Sequence, residues 1–151
     1  MINGETGELQ FEFQDCPAKF GSGLTQTEFR SSILGVDAKI LVKNGAYSSF
    51  TVSNCQNGAH RFSLSLFFLN ETLDSLQLVL TVPELENLWT TWSKEKELQL
   101  KNLHDKWLAS MKLKPKYKFE WGAIESNFDP KSGFSSITIR YAWQGKLWIP
   151  E

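Results

Sequence analysis

Cysteine and histidine are scarce in this chain, with two of each in 151 residues. Cys16 and Cys55 build no disulfide framework and form no C-x-x-C pair, so two free thiols in a reducing cytoplasm are expected. Two histidines cannot complete a four-ligand zinc site without well-placed carboxylates, so neither a metal nor another cofactor is predicted. The formal net charge is −1, which gives no global attraction to nucleic acid or anionic membrane. Apolar runs are too short to span a bilayer. The stretch from Met1 to Glu8 has neither a basic region nor an apolar core, so it does not read as a signal peptide, and a cytoplasmic location is expected. Glycine-rich phosphate loops are missing too. Gly21 and Gly23 begin such a motif, but Gln26 stands where the third glycine belongs. Asn70-Glu71-Thr72 fits a glycosylation sequon, yet reads more simply as a hairpin turn.

What the chain does have is aromatic side chains, with 11 Phe and 6 Trp. Hydrophobic residues make up 41% and charged residues 22%, the balance of a folded globule. No linker, repeat or low-complexity tract divides residues 1–151, so one domain is expected.

Period-two alternation dominates. Leu9, Phe11 and Phe13 mark a first strand, and the breaker-rich stretch from Cys16 to Gly23 reads as loop. Thr25 to Glu28 matches a capping box, which predicts a short helix from Gln26 to Leu34 ended by Gly35. Ala38, Ile40 and Val42 lead into Asn44-Gly45, a type I′ hairpin signal, and Tyr47, Phe50 and Val52 return. Phe62, Leu64, Leu66 and Phe68, then Leu76, Leu78, Leu80 and Val82, form the clearest hairpin, closed by Pro83. Residues 84–91 fit either a helical turn or an irregular connection.

One long helix stands against these strands. Ser93 is its cap, Glu95 and Glu97 suit its positive end, and Leu100, Leu103, Trp107, Leu108 and Met111 form its apolar stripe. Tyr117, Phe119 and Trp121 then alternate as a strand, and Ile137, Ile139 and Tyr141 follow the turn at Asp129 to Gly133. The fold expected is α+β: a curved, largely antiparallel sheet of about six or seven strands, one long helix on one face, and a short N-terminal helix.

The motifs Trp92-Ser-Lys-Glu-Lys-Glu-Leu, His104-Asp-Lys-Trp-Leu, Trp121-Gly and Asp129-Pro-Lys-Ser-Gly-Phe-Ser-Ser-Ile come in an order that resembles a loosely defined group of small bacterial proteins. The resemblance spans Trp92 to Tyr141. It implies a bacterial cytoplasmic single domain of the immunity or accessory kind, and carries over no catalytic residue.

Three features compete for function. His104-Asp105 invites acid–base chemistry, but adjacent helical positions diverge, and His104 borders the apolar stripe. A working pair needs Glu120, Glu125 or Asp129 brought to His104 in a pocket between helix and sheet. Lys112, Lys114, Lys116 and Lys118 would share a strand face, with Tyr117 and Phe119 opposite, so a charged edge outranks a nucleic-acid platform. Ser135 lacks the elbow motif of a nucleophile, and a Cys55–His60 pair has no supporting signature. The tryptophans divide more usefully. Trp107 and Trp121 fall in phase with apolar faces, whereas Trp89, Trp92, Trp143 and Trp148 lie near element ends, where exposed indoles make binding surfaces. The preferred expectation is a non-enzymatic protein-binding module whose partner is another protein, a toxin or a second copy. The alternative is a small enzyme or ligand-binding domain using the His104 pocket.

Overall fold

A computed structural model describes residues 1–141. Nine strands form one antiparallel sheet: β1 (Leu9–Phe13), β2 (Cys16–Phe20), β3 (Lys39–Asn44), β4 (Tyr47–Asn57), β5 (His60–Leu69), β6 (Thr72–Leu80), β7 (Lys118–Phe119), β8 (Gly122–Asp129) and β9 (Phe134–Tyr141). Among the described residues three α-helices join them: α1 (Gln26–Ser31), α2 (Ile33–Asp37) and α3 (Lys94–Ser110). The α+β class and the antiparallel sheet agree with the sequence, but the sheet is larger than the six or seven strands expected.

The spatial order is β2-β1-β4-β5-β6-β9-β8-β7, with β3 also on β4. Strands β1 and β3 share one edge of β4. β3 pairs along Tyr47 to Thr51 and β1 touches at Gln56, on either side of a bulge where Asn54 takes φ 62°. The sheet curls until its two ends meet through the first residues of the chain. Trp121 Nε1 donates to Gly4 O at 2.9 Å, and Tyr141 Oη donates to Gly7 O at 2.8 Å.

The interior is built from the alternating residues read in the sequence. Phe62, Leu64, Leu66 and Phe68 are fully buried, as are Leu76 and Leu78 across from them. Each such side chain contributes roughly 1.5–3 kcal/mol by leaving water. α1 seals one end, with Phe29 at 5.2 Å from Phe50 and 5.7 Å from Phe68. α3 seals another, with Trp107 at 4.7 Å from Phe62.

Several local expectations need correction. Cys16–Phe20 is strand, not loop. Gln14 and Asp15 both take positive φ in the turn before it, and Pro17 is tolerated because β2 is an edge that needs few donors. The capping box at Thr25 forms, but the helix breaks at Ser32, whose hydroxyl caps α2. Gly35 does not end a helix: it lies within α2, so close to the Phe29 and Arg30 backbone that a side chain there would collide with it. In the β3–β4 hairpin the loop residues are Gly45 and Ala46, and Gly45 alone takes positive φ, the sign pattern of a type II′ turn rather than I′.

The strand expected around Tyr117 to Trp121 shrinks to the two residues of β7. Lys112, Lys116 and Tyr117 take positive φ, so the lysines do not line a strand face. β8 was not expected at all. Within α3, His104 is not at the border of the stripe but inside it, 0% exposed, beside Leu100, Trp107 and Leu108. Leu103 and Met111 are only half-buried.

Candidate functional site

The loop between β6 and α3 is shaped by one amide. Asn87 Oδ1 accepts from the Ser93 N–H at 2.8 Å, while Nδ2 donates to Ser93 O at 3.0 Å and to Glu97 Oε2 at 2.6 Å. These bonds close a seven-residue loop, 87–93, onto the first turn of α3, where the Ser93 hydroxyl caps Lys96 N. Lys96 Nζ reaches Glu86 O and Thr91 O, satisfying carbonyls that would otherwise need water. Glu97 is almost fully buried, and its other carboxylate oxygen accepts from Ser135 N–H at 2.8 Å while its carbonyl accepts from Ser135 Oγ at 2.7 Å. Sequence reasoning placed Glu97 at the helix dipole and missed this role. A lone acid in a polar first turn carries no burial signal.

Facing that loop is the turn between β8 and β9. Asp129 Oδ1 accepts from Lys131 N–H at 2.9 Å, and Gly133 N–H returns to Asp129 O at 2.8 Å. Gly133 takes φ 80°, and Trp92 Nε1 donates to its carbonyl at 2.9 Å, tying loop to turn. Between them lies an open groove of about 610 Å³, lined by Leu88, Trp89, Trp92, Pro130 and Phe134 among others. Trp89 is 101% exposed, and Leu88, Trp92 and Phe134 are also exposed. Leu88 and Phe134 were not expected here, because only the fold brings residues 88–92 beside 130–134. Trp143 and Trp148 lie outside the described residues.

The residues of the alternative pocket are not assembled. His104 Nε2 accepts from Leu80 N–H at 3.0 Å, so the neutral ring carries its proton on Nδ1, which has no partner. Burial pushes the His104 pKa down to about 4; Asp105 pulls it up and Lys101 pushes it down. Glu120, Glu125 and Asp129 are exposed, with Glu125 accepting from Asn127 Nδ2 at 3.4 Å and Asp129 engaged in its turn. A neighbouring cleft of about 330 Å³ between α3 and the sheet is lined by Leu80, Leu85, Glu97, Leu100 and Ser135 and does not include His104.

Asp105 bonds Lys101 Nζ at 2.9 Å. Burial would raise its pKa, but the adjacent Ser126 hydroxyl and Lys101 outweigh that and hold it below the usual range. The Ser126 hydroxyl helps as a nearby dipole without the geometry of a well-formed hydrogen bond. Cys55 is buried, with its thiol pushed up to about 12 by burial, and His60 is exposed to solvent. Among the described residues no cluster of three His, Cys, Asp or Glu could hold a metal ion, and no helix is long and apolar enough to cross a membrane. Comparison with protein-family models, with curated proteins and with solved structures finds no match to the chain.

Proposed function

We propose that this chain is a non-catalytic protein-binding domain whose partner seats on the groove between the Trp89 loop and the Gly133 turn. The observation that carries this reading is Trp89, a large aromatic left wholly in water on a loop that is itself tied down. An indole in water forgoes the gain of burial, and clustering it with Leu88, Trp92 and Phe134 makes an apolar patch of the kind used for recognition. Because Asn87 and Glu97 fix the loop, little conformational entropy is lost when a partner orders it. In the immunity or accessory reading, this domain acts in the bacterial cytoplasm and its partner is a toxin that it neutralises.

The test is a photo-crosslinking residue placed at position 89 in the producing cell, with a control at exposed Lys19 on β2. A discrete adduct at 89, absent at 19 and competed by added unlabelled domain, supports the reading. No adduct at 89 would sink it. An adduct of twice the chain mass would assign the surface to a second copy.

A further inference from the structure

β8 is bonded to β9 along its whole length, but β7 covers its other side only at Gly122 and Ala123. Among the described residues, no backbone hydrogen bond reaches residues 124–128 from that side. An open edge of this length is a template for another strand. Two features say which strand it takes. Glu125 and Asp129 share the outward face of β8 with Asn127 between them, so the row presents two acids and no base. A second copy pairing antiparallel about Asn127 would set Glu125 against Asp129 twice, and directly opposed like charges are destabilising. The inward side is different. Lys94 lies over the Phe128 ring at 5.7 Å and Asp105 stands beside Ser126, so the flank of α3 bearing exposed Leu98 borders this edge.

We infer that the open edge of β8 accepts an extended segment of the partner protein by strand addition, with Lys or Arg opposite Glu125 and Asp129 and apolar residues between them facing Leu98 and Phe128. Main-chain bonds supply the affinity and the alternating side chains the choice. β8 runs directly into the turn that walls the aromatic groove, so edge and groove form one continuous surface. The inference rests on the protein-binding reading and adds the chemistry of what the partner presents.

The test uses the full chain, isotope-labelled for NMR, and three capped hexapeptides: Lys-Val-Thr-Val-Lys-Val, its counterpart with Glu for Lys, and the first with alternate amides N-methylated. The lysine peptide is expected to shift the amides of residues 124–129. It should slow the exchange of the alternate amides that point away from β9 about tenfold when present at about ten times its dissociation constant. The glutamate peptide should bind at least about fivefold more weakly, and the methylated peptide should not bind. Glu125→Lys should reverse the preference between the two charged peptides. Equal binding of all three peptides, or shifts confined to other strands, would overturn the inference. So would protection of these amides that grows with protein concentration and needs no peptide, since the edge would then belong to a second copy. If the peptides fail while the adduct at position 89 forms, the inference falls and the protein-binding reading stands.

Discussion

Two regions of the molecule spend tryptophan differently. At the C-terminal half of α3, Trp107 is 4% exposed and tilts against Phe62, one turn from the sealed His104. At the helix's other end, Trp89 is wholly exposed, and Trp92 keeps 44% of its surface in water while its indole N–H is satisfied by Gly133. The first region trades aromatic area for stability. The second holds its aromatics still without burying them. A tryptophan's role here is therefore read from the polar bonds around it. Asn87 and Glu97 immobilise a loop on which the Trp89 indole gains nothing within this chain.

Truncating each region separates them. Trp107→Ala should cost about 3–5 kcal/mol in urea unfolding, because the cavity opens inside the sealed end of the sheet. A loss below about 1 kcal/mol would mean that the buried region is not what holds α3 down.

Acid tests the same region through His104. Its folded pKa lies near 4, below its ordinary 6.5, so the unfolded chain binds the extra proton between those values. Stability should be fully present above pH 6.5 and fall as pH drops toward 4, by at most about 3 kcal/mol. Asp105, held low, adds its own loss only at still lower pH. His104→Leu should be less stable at neutral pH, since Leu80 N–H loses its acceptor, but nearly flat between pH 4 and 6.5. An unchanged slope in that variant would assign the acid sensitivity elsewhere.

In the other region the effects shrink. Trp92→Phe removes the bond to Gly133 O and should cost about 1 kcal/mol, read as a small shift in the urea midpoint. Trp89→Ala should change stability by less than about 0.5 kcal/mol while abolishing partner capture measured by pull-down. A large stability loss from Trp89→Ala would erase the distinction between the regions.

Much of the sheet was legible because the period of two is unambiguous wherever one face is buried. The β3–β4 and β5–β6 hairpins, the capping box at Thr25 and the Ser93 cap of α3 all come from local patterns. β2 and β8 were not legible, for opposite reasons. β2 contains Pro17, which sequence reasoning treats as a breaker and an edge strand tolerates. In β8, Gly122 starts the strand and Ser126 stands on the inward face among Ile124 and Phe128, so the apolar alternation is interrupted where α3 supplies Asp105. The groove was half legible. Trp89 and Trp92 announce themselves by lying at an element end, whereas Leu88, Pro130 and Phe134 join them only through the antiparallel return of β9 beside α3.

The closure of the sheet by its first residues sets how the chain must fold. Trp121 reaches Gly4 across 117 residues and Tyr141 reaches Gly7 across 134, and Trp121 packs so tightly on Gly7 that no side chain fits there. Contacts so remote in sequence are made only after large loops have closed, and they repay that entropy late. The local hairpins β3–β4 and β5–β6 are the natural first structures to form. The seam between the chain's beginning and β7 to β9 is expected to form late, which predicts refolding on the millisecond-to-second scale of non-local β topologies, to be read by stopped-flow fluorescence.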